Sequence, residues 1–242
     1  MRYALIIDYE TYWNPADGCN LDRLVELFDD VSPNYRAVVF PPSGDVHPQN
    51  RGLHEAISAF PQRERFVPCA YINPNLYGAV EELETAVESY GFRGMKLMPT
   101  IHKYNVDSEV TRPVMEKARD LGIPVTIHSS GDGGYPRLIS NLAAEHPEVP
   151  IIMDHSGYRY FQEEALEAGR LHDNIYFGLS LVAEPPYIDK IAGEVGGDRL
   201  IYGSNAAGGI PRIGLMVYDY TNLTEKEKEL AKGKNLARLL GL

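Results

Sequence analysis

The feature that most restricts this chain is an alternation that runs its whole length: a short β-rich run is followed each time by a segment with helical periodicity. Eight strand candidates stand out, namely Tyr3–Ile7, Ala37–Phe40, Phe66–Tyr71, Gly94–Leu97, Pro124–His128, Ile151–Asp154, Ile175–Leu179 and Leu200–Gly203. Most are near-continuous apolar runs, which suits strands covered on both faces, so the units read as parallel βα repeats. Local signals support the helices between them. Val80, Leu83, Ala86, Val87 and Tyr90 share one stripe that Gly91 ends. Thr111 is placed to cap a helix with Pro113 in its first turn and Gly122 at its stop. Thr224 and Glu227 have capping-box spacing, and Asn235–Leu240 forms a last short helix.

Eight such units in 242 residues predict an α/β fold, a (β/α)8 TIM barrel built as a single domain over residues 1–242. Closing the sheet on itself removes both edge strands. The competing doubly wound open sheet would carry a Gly-x-Gly-x-x-Gly turn after its first strand, and that turn is missing. A chain of this length buries roughly 70–75% of its unfolded surface without staples. Its two cysteines, Cys19 and Cys69, cannot form a disulfide scaffold. The opening apolar run of about five residues is too short for a signal peptide or a membrane span. A cytoplasmic setting with no membrane partner is therefore expected. A net charge of -11 with 23 scattered Lys and Arg opposes phosphate backbones, so nucleic acid is not an expected partner. The expected partner is a small-molecule substrate, and association into a homo-oligomer stays open.

A barrel gathers its chemistry at the C-terminal ends of its strands. The first candidate runs into Asp8-Tyr9-Glu10-Thr11-Tyr12, the fourth carries Lys96 and the fifth His128. The sixth delivers Asp154 and His155, the seventh Ser180, and the eighth Ser204 and Asn205. A lone histidine after an apolar strand is as often a structural hydrogen-bonder as a functional group, but two on adjacent strands point to a reaction site. Lys96 lies between Met95 and Leu97, so either it or its neighbours face the barrel interior. An inward Lys96 would need a carboxylate, and Glu10 or Asp8 can supply one. Asp8 is read as a structural hydrogen-bonder. Tyr12, Trp13 and Tyr71 are placed to wall a pocket for a flat ring, with His102 over the mouth and Ser180 at its rim. His47, His54, His146 and His172 have surface settings as their better explanation, and Gly131–Gly134 and Gly203–Gly209 are weak anion-cradle candidates.

Six stretches together resemble the amidohydrolase-related (β/α)8 proteins of the amidohydrolase 2 type, which include metal-dependent hydrolases and aromatic-acid decarboxylases. They are Leu5–Tyr12, Gly91–Leu97, Leu121–His128, Asp154–Gly157, Asp198–Asn205 and the closing Gly233–Leu242. The resemblance implies an enzyme that acts on a small, cyclic carboxylated compound by hydrolysis or decarboxylation. It also implies one divalent ion, Zn or Mn, with Glu10 and His128 as ligands. The family pattern takes a His-x-His after the first strand, a His after the fifth, another after the sixth and an Asp after the eighth. Those positions here hold Glu10-x-Tyr12, His128, His155 and Asn205. Tyr12 and Asn205 depart from the pattern: a neutral phenol and an amide bind such ions weakly, and an amide takes no proton from water. Two other readings remain open. One is a metal-independent lyase, isomerase or cyclase, with His128 or His155 as acid and base, Lys96 as an electrostatic clamp and Asn205 as a hydrogen-bond donor. The other is a catalytically silent barrel that binds a ligand.

Overall fold

The computed structural model describes residues 5–42 and 47–242. Its parallel strands are β1 (Ile6–Tyr12), β2 (Tyr35–Phe40), β3 (Phe66–Pro68, resuming after Cys69 as Ala70–Ile72), β4 (Met95–Leu97), β5 (Val125–His128), β6 (Ile151–Asp154), β7 (Ile175–Gly178) and β8 (Leu200–Ile201). Each pairs with its neighbour in chain order. At the interruption in β3, Cys69 N donates to Val39 O at 3.1 Å and Ala70 N to Gly94 O at 2.8 Å, which carries the sheet across. Tyr9 N donates to Tyr202 O at 3.0 Å and Tyr12 N to Ala206 O at 2.7 Å, which brings the end of β8 back to β1. The result is the (β/α)8 TIM barrel that the alternation predicts.

Alternation along each short strand divides the apolar side chains into two cores. Met95 and Leu97, Val125 and Ile127, Ile151 and Met153, and Ile175 and Phe177 belong to the large core shared with the helices. Ile7, Tyr9, Val38, Phe40, Val67, Cys69, Ile152 and Ile201 form a second core inside the ring, joined by Leu236 and Leu240 of the helix Asn235–Leu240. Lys96 has the inner parity, because both its strand neighbours are committed to the outer core. Its position between Met95 and Leu97 thus resolves inward.

The first strand differs from its prediction. Tyr3 and Ala4 lie outside the described residues, and β1 continues past Asp8 to Tyr12. A carboxylate ends a strand only where it would be buried unpaired; Asp8 and Glu10 both have partners, so the strand runs on. Thr111 also behaves differently. It precedes the helix Arg112–Leu121 in helical backbone geometry, and its hydroxyl caps nothing. A cap needs extended backbone to turn the side-chain oxygen onto the first-turn N–H groups. The stop at Gly122, with φ 64°, and the Thr224–Glu227 capping box are both present. Among the described residues no helix is long and apolar enough to cross a membrane.

Candidate active site

The register between β1 and β2 shifts between Asp8 and Thr11. A shift of this kind re-aims side chains, and it lets the consecutive residues Tyr9 and Glu10 both reach groups of the other strands. Glu10 Oε1 accepts from Lys96 Nζ at 2.6 Å and from the Tyr12 hydroxyl at 2.8 Å, and Glu10 Oε2 accepts from Ser180 Oγ at 2.5 Å. Asp154 is the second buried carboxylate. Its Oδ2 lies 2.5 Å from Lys96 Nζ and 3.4 Å from His128 Nδ1. Its Oδ1 accepts from the Tyr9 hydroxyl, with Ser180 Oγ at 3.2 Å. One ammonium therefore joins two carboxylates carried by opposite parts of the ring.

His128 and Asp154 stand side by side in the β5–β6 register. His155 follows Asp154 directly, and in an extended strand it would point to the opposite face. Its φ of 59° breaks that alternation and brings its Nδ1 to 3.2 Å from Asp154 Oδ1, 2.8 Å from Ser180 Oγ and 3.1 Å from Ser180 O. The two imidazoles meet edge to face at 5.1 Å between centroids. Ser156, Tyr158, Leu181 and Asn205 share left-handed backbone with His155. All five follow the C-terminal ends of β6, β7 or β8. Such conformations are unfavourable for residues with a Cβ and persist where the surroundings impose them, as at functional rims.

A cavity of about 580 Å3 opens over this floor, lined by Glu10, Tyr12, His128, His155 and Asn205 with Met98, Leu181 and Pro42 among its apolar walls. That size suits a ring-sized molecule. Burial acts to raise the Asp154 carboxyl, but His155, Lys96 and His128 outweigh it and hold it well below the usual carboxylate range. Burial also acts against the Lys96 ammonium, and Asp154 and Glu10 more than reverse this, so Lys96 stays charged. Burial, then Glu10 and Asp154, push the Tyr12 phenol well above its ordinary range. Tyr12 is thus a fixed hydroxyl donor.

The residues singled out from sequence fall into three positions. Glu10, Tyr12, His128, His155 and Asn205 line the cavity together. Lys96 and Ser180 lie beneath it, fully buried, and reach it through Glu10, Asp154 and His155. Trp13, Tyr71 and His102 are not among its lining residues. The Trp13 ring lies over Gly52 of the helix Asn50–Ala59, where even a Cβ would make ordinary contact at 3.5 Å. Tyr71 and His102 are buried against each other, edge to face at 5.1 Å. His146, expected at the surface, is buried at the end of the helix Pro136–Glu145. Asp154 and Tyr9 are central groups that the sequence reading places at strand ends without giving either a role in the site. For Asp154 the signal was its inward parity, two residues after Ile152.

A family model described as amidohydrolase matches residues 2–242. Among solved structures, an uncharacterized TIM-barrel protein from Bordetella bronchiseptica is 17% identical with a TM-score of 0.79, covering 98% of each chain. A 5-carboxyvanillate decarboxylase from Novosphingobium aromaticivorans, complexed with manganese and 4-hydroxy-3-methoxy-5-nitrobenzoic acid, is 14% identical with a TM-score of 0.77; 99% of this chain and 97% of that one are covered. A dihydroxybenzoic acid decarboxylase from Polaromonas, with bound manganese and 2-nitroresorcinol, is 15% identical with a TM-score of 0.75, again over 99% and 97%. No curated protein matches the chain.

Proposed function

Since the chain belongs to the amidohydrolase family, we propose that it is an enzyme that decarboxylates a small, hydroxylated aromatic acid, with His155 as the proton carrier. The observation that carries this reading is the setting of His155. Its Nδ1 is held by Asp154 and Ser180 while its ring lines the cavity, and among the described residues no hydrogen bond involves its Nε2. An imidazole oriented by a carboxylate from behind is built to exchange a proton with what lies in front. In the proposed step the His155 imidazolium gives its proton to the ring carbon that bears the carboxylate. The C–C bond then breaks, its electron pair restores the aromatic ring, CO2 leaves, and solvent returns the proton to His155. Asp154 supports the imidazolium, and the Asn205 amide offers a hydrogen bond to negative charge on the substrate. Solved neighbours named as decarboxylases of carboxyvanillate and dihydroxybenzoic acid support the substrate class. The hydrolytic route that the family resemblance implies takes the water proton with an Asp after the eighth strand, and Asn205 cannot serve as that base.

The residues present do not fit a divalent ion of the kind those neighbours carry. His128, Asp154 and His155 do bring donor atoms within 4.8 Å of one another. Yet both oxygens of Asp154 and both of Glu10 already accept from the chain's own donors. A divalent ion about 4 Å from the Lys96 ammonium would be repelled by ~8 kcal/mol at an effective dielectric of about 20. Tyr12 offers a neutral phenol and Asn205 an amide, both weak ligands. No step of the proposal is routed through a metal.

The test is a panel of hydroxylated benzoic acids incubated with the protein in D2O. The expected result is CO2 release with deuterium at the vacated ring carbon, reduced about 10²–10⁴-fold in His155→Asn. Turnover of lactones or cyclic amides with no CO2 from any acid would overturn the decarboxylase reading in favour of hydrolysis.

A further inference from the structure

We propose that the Lys96 ammonium is the resident cation of this site, neutralising Glu10 and Asp154 from inside the barrel in place of a divalent metal ion. The inference deepens the reading above, because it assigns the charge balance on which that acid–base chemistry rests.

Three observations converge on it. Lys96 Nζ stands 2.6 Å from Glu10 Oε1 and 2.5 Å from Asp154 Oδ2, with no part of its side chain exposed. A single positive charge thus lies between Glu10, which lines the cavity, and Asp154, buried beneath it, where a cofactor cation would have to compete with it. The aromatic surroundings suit a permanent cation, with the Phe40 ring centroid at 5.4 Å and that of Tyr12 at 5.7 Å. Finally, both carboxylates also accept from neutral hydroxyls of the chain, Glu10 from Tyr12 and Ser180 and Asp154 from Tyr9. A metal site leaves its donor atoms open for the ion; here the carboxylate oxygens accept from the chain, His128 is held by Asp154 at Nδ1 and by Ser130 Oγ at Nε2, and His155 is held at Nδ1 by Asp154 and Ser180. Lys96 does not touch the cavity, so its role is to position and charge-balance Glu10 and Asp154.

The proposal predicts that removing the ammonium turns a metal-excluding site into a metal-accepting one. The experiment uses full-length protein expressed with added Mn and Zn and purified without chelator, as wild type and as Lys96→Met. Elemental analysis, Mn2+ paramagnetic resonance and melting curves with Mn2+ or Zn2+ are the readouts. An ion that binds only the folded state lowers the unfolding constant about 100-fold at a hundred times its Kd, so binding shows clearly as a rise in melting temperature. Wild type is expected to carry no stoichiometric metal and to show no rise, while Lys96→Met gains both a bound-Mn2+ signal and metal-dependent stabilisation. Stoichiometric Mn or Zn in the wild type, or a metal-dependent rise in its melting temperature, overturns the proposal. A Lys96→Met protein that folds yet gains no metal binding overturns it as well, and if that variant does not fold, the wild-type measurements decide alone. None of these readouts depends on turnover, so a failure of the decarboxylase reading leaves them standing.

Discussion

Lys96 Nζ and Asp154 Oδ2 stand 2.5 Å apart with neither side chain exposed to solvent, and Glu10 completes the pair from the other side. A buried ion pair is weak evidence for stability as a whole, because desolvation of both charges offsets their attraction. Breaking it on one side is different. Lys96→Met leaves two carboxylates buried without their cation and is expected to cost about 3–5 kcal/mol in metal-free buffer. Glu10→Gln made in the Lys96→Met background should return part of that loss, since one unpaired charge is gone. Denaturant unfolding of the single and double variants measures the coupling, and strictly additive losses would mean that the two groups do not act as a unit.

How far the sequence exposed this arrangement depends on the residue. The barrel was legible, because eight βα alternations leave few other ways to cover every strand. His128, His155, Glu10 and Asn205 were legible as strand-end groups. Lys96 was ambiguous, since a three-residue strand fixes parity only once Met95 and Leu97 are seen in the outer core. Asp154 was legible at the end of the sixth strand but received no role of its own, and strand alternation would place it and His155 on opposite faces. The left-handed backbone at His155 cancels that rule, and no residue type announces it. Aromatic content likewise could not say which rings wall the cavity. Tyr12 does, whereas Trp13 packs against the outer core and Tyr71 is buried against His102, because ring burial is favourable in any of these places.

Tyr9 reaches Asp154 through space that two glycines leave open. A Cβ at Gly203 would overlap the Tyr9 ring, and one at Gly178 would stand 2.6 Å from Tyr9 Cζ. Gly203→Ala is therefore expected to cost about 1–3 kcal/mol by overpacking the inner core. Tyr9→Phe should not relieve it, since the overlap is with ring carbons, whereas Tyr9→Leu should. Melting temperatures of the three combinations check this; equal rescue by Phe would place the conflict at the hydroxyl instead.

Ser180 has one hydroxyl proton and several acceptors around it. Glu10 Oε2 takes that proton at 2.5 Å, and Tyr9 and His155 lie within hydrogen-bond distance of the same oxygen. Ser180→Ala leaves a buried carboxylate oxygen without its donor, which costs about 1–3 kcal/mol. It also frees Glu10 to move relative to His155, so turnover is expected to fall by more than substrate affinity. An unchanged urea midpoint in Ser180→Ala would show that Glu10 finds another donor.

Asp8 gives the fold a pH dependence of unusual sign. It accepts from the Tyr35 hydroxyl at 2.6 Å and from the backbone of Glu10 and Ser204 at 3.0 and 2.9 Å. Burial nevertheless outweighs these bonds and raises its carboxyl from 3.8 to about 6. Between those two values the folded chain binds more protons at Asp8 than the unfolded chain does, so this group's contribution declines as pH rises. Its stability is fully present below about pH 4 and is lost as pH rises through about 6, a difference of about 3 kcal/mol at neutral pH. Asp154 works in the opposite direction, since its lowered carboxyl stabilises the fold above the ordinary carboxylate range and fails only in strong acid. Asp8→Asn cannot titrate, and whatever its substitution costs is the same at every pH. Unfolding free energy measured from pH 4 to 7 should therefore have a more positive slope in Asp8→Asn than in the wild type, and parallel curves would return Asp8 to the ordinary carboxylate range.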